Sequence, residues 1–225
     1  MTPYYETELG KLYHGDCLDI MPQLEPVDLV LADIPYGEVN RDSNGLRNLN
    51  KGKADIVTFE ISQFVSRAIN GCCGSFYIFC GTEQVSEIRS LFVSNKLSTR
   101  LCIWEKTNPS PMNGEHLWLS GIECCVFGKK SGAVFNPKCE TPVFRFPVAR
   151  DQIHPTQKPT ALIQKIVRAS SEQSSTVLDP CFGSGTTGYI CERLKRKWIG
   201  IEIEEKYCEI AAKRIELERK QLKLF

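Results

Sequence analysis

The 225-residue sequence contains no apolar run near the roughly 18 residues that cross a membrane. Its start, with Glu6 and Glu8 early, has neither the basic nor the apolar block of a secretory leader. A cytoplasmic protein is the expectation. Charge of one sign is also missing: 28 Lys and Arg stand against 27 Asp and Glu, for a net charge of +1. That balance says nothing about nucleic acid, which needs only a local positive face. No Cys-x-x-Cys occurs among the 11 cysteines and the three histidines stand apart, so neither zinc nor a disulfide framework is expected. Cys72, Cys73, Cys80, Cys102, Cys124 and Cys125 lie in or beside apolar segments, where a thiol serves as a small hydrophobe. An odd cysteine count in a cytosolic chain argues for free thiols.

Internal repeats and low-complexity tracts are absent too, which leaves an ordinary globular chain, 42% hydrophobic and 24% charged. Its length fits one domain over residues 1–225. Apolar runs of strand length at 12–14, 27–32, 76–80, 101–104, 122–127, 176–178 and 198–203 alternate with helical patterns at 59–69, 83–93, 160–169, 186–194 and 205–220. This alternation predicts an α/β three-layer sandwich around a mostly parallel seven-stranded sheet. Two stretches resist the pattern. Residues 38–57 are polar and long for a connection, as functional or mobile loops are. Residues 129–157 carry Pro137, Pro142, Pro147 and Pro155, which suit neither a helix nor a central strand. Arg193, Lys195, Arg196 and Lys197 read as cations complementing a helix C-terminus.

Two motifs, far apart in sequence, follow predicted strands: Asp33-Ile34-Pro35-Tyr36-Gly37, and Asp179-Pro180-Cys181-Phe182-Gly183-Ser184-Gly185-Thr186-Thr187-Gly188. Loops at the carboxyl ends of parallel strands are where open α/β sheets bind ligands. In the second loop, Gly183 and Gly185 permit a tight turn and let a ligand approach the backbone. Their spacing matches neither the dinucleotide fingerprint nor the phosphate-binding loop. A cofactor with an amino acid portion and a ribose fits instead, with Asp179 accepting from an ammonium group. Glu202, one helix and one strand further on, is placed to hold ribose hydroxyls.

The first motif suits an amino group on a flat ring. Such a nitrogen donates its lone pair into the ring and is a poor nucleophile until acceptors aimed at its N–H bonds favour a tetrahedral geometry and stabilise the developing charge. Asp33 offers a carboxylate, Ile34 a carbonyl, Pro35 a fixed backbone and Tyr36 a surface on which an extruded base can stack.

With these motifs the chain resembles the S-adenosylmethionine-dependent amino-methyltransferases of DNA. The order, catalytic motif first and cofactor motif last, is similar to their permuted beta group. His14-Gly15-Asp16-Cys17 resembles the family's early Gly-Asp-Cys, which implies that Asp16 and Cys17 lie near the cofactor's adenine. His154-Pro155-Thr156-Gln157-Lys158-Pro159 resembles the segment that helps hold the methionine end, and so implicates Lys158. Residues 104–109 and 123–129 look like the family's middle strands. The cofactor set implied is Asp16, Cys17, Asp33, Lys158, Asp179, Cys181, Phe182, Gly183, Ser184, Gly185, Thr186 and Glu202.

Three positions depart from the family pattern. Ile34 replaces the usual proline, so aim of its carbonyl would rest on packing. Cys181 stands where phenylalanine is common, with Phe182 following it. The 129–157 segment is short for a target-recognition region. An acid at position 33 looks more like the adenine-N6 enzymes; N4-cytosine is the alternative, followed by methylation of RNA or of a protein glutamine. Double-stranded DNA is the expected partner, with Arg41, Arg47, Lys51 and Lys53 on its phosphates as the 38–57 loop closes. The resemblance leaves a homodimer and a cognate restriction endonuclease open, and implies a bacterial or phage origin.

Overall fold

A computed structural model of the protein describes residues 1–36, 59–111, 114–148 and 157–222. The expectation of a mobile 38–57 loop, with Arg41, Arg47, Lys51 and Lys53, falls outside these residues. In chain order the first elements are β1 (Tyr5–Glu6), β2 (Gly10–His14), α1 (Cys17–Ile20), β3 (Val27–Asp33), α2 (Ile61–Gly71), β4 (Cys72–Cys80) and α3 (Val85–Ser94). There follow β5 (Ser98–Lys106), β6 (Ile122–Lys129), β7 (Val143–Phe146), α4 (Thr160–Ser170), β8 (Thr176–Asp179), α5 (Thr186–Leu194), β9 (Lys197–Glu202) and α6 (Glu205–Leu222).

All seven predicted strands form, and the sheet of the described residues has nine, in the order β1-β2-β9-β8-β3-β4-β6-β5-β7. The two additions are the edges, with two and four residues. Strands that short carry too few alternating positions to register as a pattern. The segment flanked by prolines supplies β7, which suits proline's confinement to sheet edges. It pairs parallel to β5 and is pinned by the indole N–H of Trp104, which donates to the Phe146 carbonyl at 2.9 Å.

Apolar side chains of the central strands alternate between two cores. From β3, Val30 and Ala32 join Phe64, Val65, Ala68, Ile88 and Phe92 of α2 and α3 on one face. Leu29 and Leu31 join Leu162, Ile166, Ile190, Ala211 and Ile215 of α4, α5 and α6 on the other. Burial of both faces explains why these strands read as continuous apolar runs. Most of the cysteines fill these cores: Cys72, Cys80, Cys102, Cys124 and Cys125 are buried, whereas Cys73 is exposed. At the end of α5, the Arg196 guanidinium donates to the Leu194 and Ser171 carbonyls, completing the helix terminus.

β2, β9, β8, β3 and β4 all run the same way, so His14, Glu202, Asp179, Asp33 and Cys80 end on one edge of the sheet. β6 runs against β4 and therefore begins at that edge, with Cys124 opposite Cys80 and Glu123 one residue before it. Among the described residues, no helix is long and apolar enough to cross a membrane.

Candidate active site

The two sequence motifs leave β3 and β8, which are hydrogen-bonded neighbours. Asp33 and Asp179 thus end at the same edge of the sheet, near enough for Asp33's charge to help raise the Asp179 carboxyl.

On the β3 side the loop is clamped from beneath. The Ile34 N–H donates to the Phe79 carbonyl at 3.2 Å, which carries the β3–β4 pairing one step past the strand, and the Ile34 side chain is buried. A proline at 34 would have no N–H for this bond. Gln84 supplies a second clamp: its amide donates to the Pro35 carbonyl at 2.9 Å while its carbonyl accepts from the Gly81 N–H at 2.8 Å.

Above that backbone lies a cluster of charge. Lys158 Nζ is 2.6 Å from Asp33 Oδ2 and 3.0 Å from Glu123 Oε2. Lys106 Nζ is 2.8 Å from Glu123 Oε1. The Tyr36 hydroxyl lies 3.1 Å from Asp33 Oδ1 and 3.1 Å from Glu123 Oε2. Two carboxylates and two ammonium groups balance, as partly buried charges must. Lys158 also sits over the rings of Phe79 and Tyr36, at 5.1 and 5.5 Å from their centroids.

Burial pushes the Asp33 carboxyl up, against the pull of Lys158. Burial also opposes the charge on Glu123, but Lys158 and Lys106 hold that carboxyl below its usual range. Burial and the two carboxylates raise the Tyr36 phenol far above its ordinary value, so it stays a protonated donor. The Lys158 side chain is only 7% exposed; burial draws its ammonium down, and Asp33 and Glu123 more than offset this. Sequence reading placed Lys158 with the cofactor's methionine end; the structure places its ammonium on Asp33. Glu123 and Lys106 lie in the segments that resemble the family's middle strands, and Gln84 in a helical pattern, and none of the three is expected there as a site residue.

The glycine loop is organised by backbone. Gly183 and Gly185 adopt positive φ angles of 51° and 76°. A Cβ on Gly183 would point into open space, the room that a ligand at the main chain requires. Gly185 is different, because a Cβ there would lie 2.8 Å from that of Ala211. The Gly183 N–H donates to Glu202 Oε2 at 2.7 Å, and the Glu204 N–H donates to Oε1 at 2.9 Å. Glu202 therefore ties the loop to the end of β9, and burial raises its carboxyl. Asp179 accepts from Thr187 Oγ1 at 2.6 Å and the Cys181 N–H at 3.1 Å; burial nevertheless pushes it up to about 7.

Asp16 caps α1, accepting from the Leu18 N–H at 2.8 Å, and Cys17 is buried just after it. Cys181 is half-buried beside Cys17. Ser184 and Thr186 are held by Arg214 of α6, whose guanidinium donates to Thr186 Oγ1 at 2.9 Å and to the Ser184 carbonyl at 3.2 Å. Arg214 carried no sequence signal.

Phe182 departs from the expectation of cofactor contact. Its ring is buried and stacks on Trp198 at 5.4 Å and 12° between planes, in the core beneath α5 and α6. Its backbone is tied to β9 and to the loop, the N–H donating to the Ile201 carbonyl and the carbonyl accepting from the Gly185 N–H, both at 2.9 Å. The reason is steric: Gly188 and Gly200 leave the space that the ring fills, since a Cβ on either would come within 2.7 Å of it.

A family model described as DNA methylase matches residues 115–213. The chain is 27% identical over 256 residues to Type II methyltransferase M2.LlaDCHI of Lactococcus lactis subsp. cremoris, covering 95% of this chain and 91% of that protein. It is 27% identical over 259 residues to Type II methyltransferase M2.DpnII of Streptococcus pneumoniae, covering 96% and 93%. The crystal structure of the M1.HpyAVI-SAM complex superposes with a TM-score of 0.74 at 28% identity, over 92% of this chain and 99% of that one. The PvuII DNA methyltransferase (cytosine-N4-specific) has the same fold, with a TM-score of 0.73 at 18% identity over 94% of this chain and 88% of that one. Together with the motif order and strand topology above, these likenesses support an amino-methyltransferase of the kind these proteins represent.

Proposed function

We propose that the protein methylates the exocyclic N6 amino group of adenine in double-stranded DNA, using S-adenosylmethionine. One observation supports the reading: a carboxylate and a glycine turn end adjacent parallel strands, at the same edge of the sheet. When bound, the cofactor supplies an electrophilic methyl group on a sulfonium.

The residues fit such a cofactor. Gly183 leaves open space at the main chain, and Asp179, near neutrality when free, gains a reason to ionise beside an ammonium group. Asp16, Cys181 and Glu202 would line the remaining wall, with Glu202 using lone pairs beyond those given to Gly183 and Glu204. Asp33 and the Ile34 carbonyl would accept from the target amino group, and Tyr36 would stack on the extruded base. Asp33 would then take the surplus proton from the methylated nitrogen, whose bonding pair stays on nitrogen. The raised Asp33 carboxyl suits that task. An acid, rather than serine, at the head of the motif favours adenine over cytosine.

Incubating purified protein with labelled S-adenosylmethionine and duplex DNA, then digesting the product to nucleosides, tests both halves of the reading. The expected label is on N6-methyldeoxyadenosine. Label on N4-methylcytosine would overturn the choice of base, and transfer to RNA or protein with none to DNA would overturn the substrate.

A further inference from the structure

Both oxygens of Asp33 are already engaged by the chain itself. Lys158 Nζ holds Oδ2 at 2.6 Å and the Tyr36 hydroxyl reaches Oδ1 at 3.1 Å. An amino group arriving at this carboxylate must displace one of them or share with it. Each has a second partner, and it is the same atom: Glu123 Oε2 lies 3.0 Å from Lys158 Nζ and 3.1 Å from the Tyr36 oxygen. Tyr36 has one hydroxyl proton and two carboxylates within reach, so it can turn from one to the other without losing a hydrogen bond. Glu123 is itself fixed, through its other oxygen, by Lys106 at 2.8 Å.

We infer that Glu123 is a positioning residue: it receives Lys158 and Tyr36 when Asp33 turns to the target amino group, so that neither donor is stranded in the buried cluster. This rests on the methyl-transfer reading. Without a second seat, freeing Asp33 would leave an ammonium that is 7% exposed without a counter-charge. The electrostatics agree with the geometry. Asp33 is the carboxyl raised by burial, whereas Lys158 and Lys106 keep Glu123 ionised against its own burial. A proton from the methylated nitrogen therefore stays on Asp33, and Glu123 keeps the charge that retains Lys158.

Glu123→Gln preserves shape and one acceptor but removes the charge. Around Asp33 lie Lys158, Tyr36 and Glu123, with Cys80 of β4, Cys125 of β6 and Asp179 of β8. Around Glu123 lie Lys158, Lys106, Tyr36 and Cys124. Of these, Glu123 raises Asp33 and competes for Lys158. Its neutralisation should lower the Asp33 carboxyl and move the acid limb of kcat/KM for DNA to lower pH. The rate on the plateau should fall on the order of a hundredfold, as misplacement of a reacting group does.

Glu123→Asp keeps the charge one methylene back. It should hold the acid limb near its wild-type position while lowering the rate. Cofactor affinity by calorimetry should be unchanged in both variants. An unmoved acid limb in Glu123→Gln, or a wild-type rate in Glu123→Asp, would overturn the role of Glu123; the second result decides the matter even if Glu123→Gln does not fold. A wild-type protein that methylates no base at all sinks the underlying reading instead.

Discussion

Two loops share one edge of the sheet and are built by opposite means. The loop after β3 is set by side chains: Asp33, Tyr36, Glu123, Lys158 and Lys106 hold one another in a balanced charge cluster. The loop after β8 is set by main chain, with two glycines at positive φ and the Gly183 N–H on Glu202. The difference matches what each would have to do. A base must be gripped and released in each cycle, which calls for partners that can be exchanged. The cofactor too would leave as its demethylated product in each cycle, but its amino acid and ribose portions are unchanged by the reaction, so fixed amides and space can serve them.

The largest effects should separate the loops by which constant changes. Asp33→Ala should lower transfer on the order of 10²–10³-fold or more, the cost of losing a group aimed at developing charge. Lys158 keeps Glu123 as its partner in that variant, so the fold and the cofactor dissociation constant should persist. Asp179→Asn should do the reverse, weakening cofactor binding while retaining an acceptor for the Cys181 N–H. Single-turnover rates at saturating cofactor, with calorimetric dissociation constants, give both numbers. Parallel losses of both constants in both variants would erase the distinction.

Protonation offers a finer separation. Burial pushes Asp179 up to about 7, and an ammonium group beside it would draw it back toward the ordinary carboxylate range. Cofactor binding should then release a proton below pH 7, and affinity should weaken by up to about tenfold per pH unit of acidification. Asp179→Asn should flatten that slope. Calorimetry across pH, in buffers of differing ionisation enthalpy, measures the proton directly; a flat wild-type profile would remove Asp179 from the ammonium site.

Much of this arrangement could be read from residues in order. Strands with both faces buried stand out as apolar runs, and α5 falls over the residues its pattern predicts, 186–194. The two motifs identify themselves by chemistry, and their neighbourhood follows from sheet topology. What stayed hidden depends on contacts between distant residues. Lys158 is 125 residues from Asp33, and Glu123 is 87 from Tyr36, so no local pattern records that they meet. Glu123 reads as one residue of a strand until that strand is seen to begin at the edge where the others end. α1, four residues long, is too short to show a helical period.

The smallest effect tests one of the places where sequence and structure part. The family resemblance gives Phe182 to the cofactor, as part of the motif that ends in the glycine loop. Its ring is instead enclosed by Trp198, Ala211 and the bare faces of Gly188 and Gly200. Gly188 and Gly200 are thus required by a side chain of the protein itself. Phe182→Leu should cost about 1–2 kcal/mol of stability through lost stacking and an incompletely filled core. It should leave cofactor affinity unchanged, because the loop's backbone is held separately by the Phe182 N–H on the Ile201 carbonyl at 2.9 Å. Thermal melting and calorimetry on one preparation suffice. A fall in cofactor affinity without a fall in melting temperature would return the ring to the cleft.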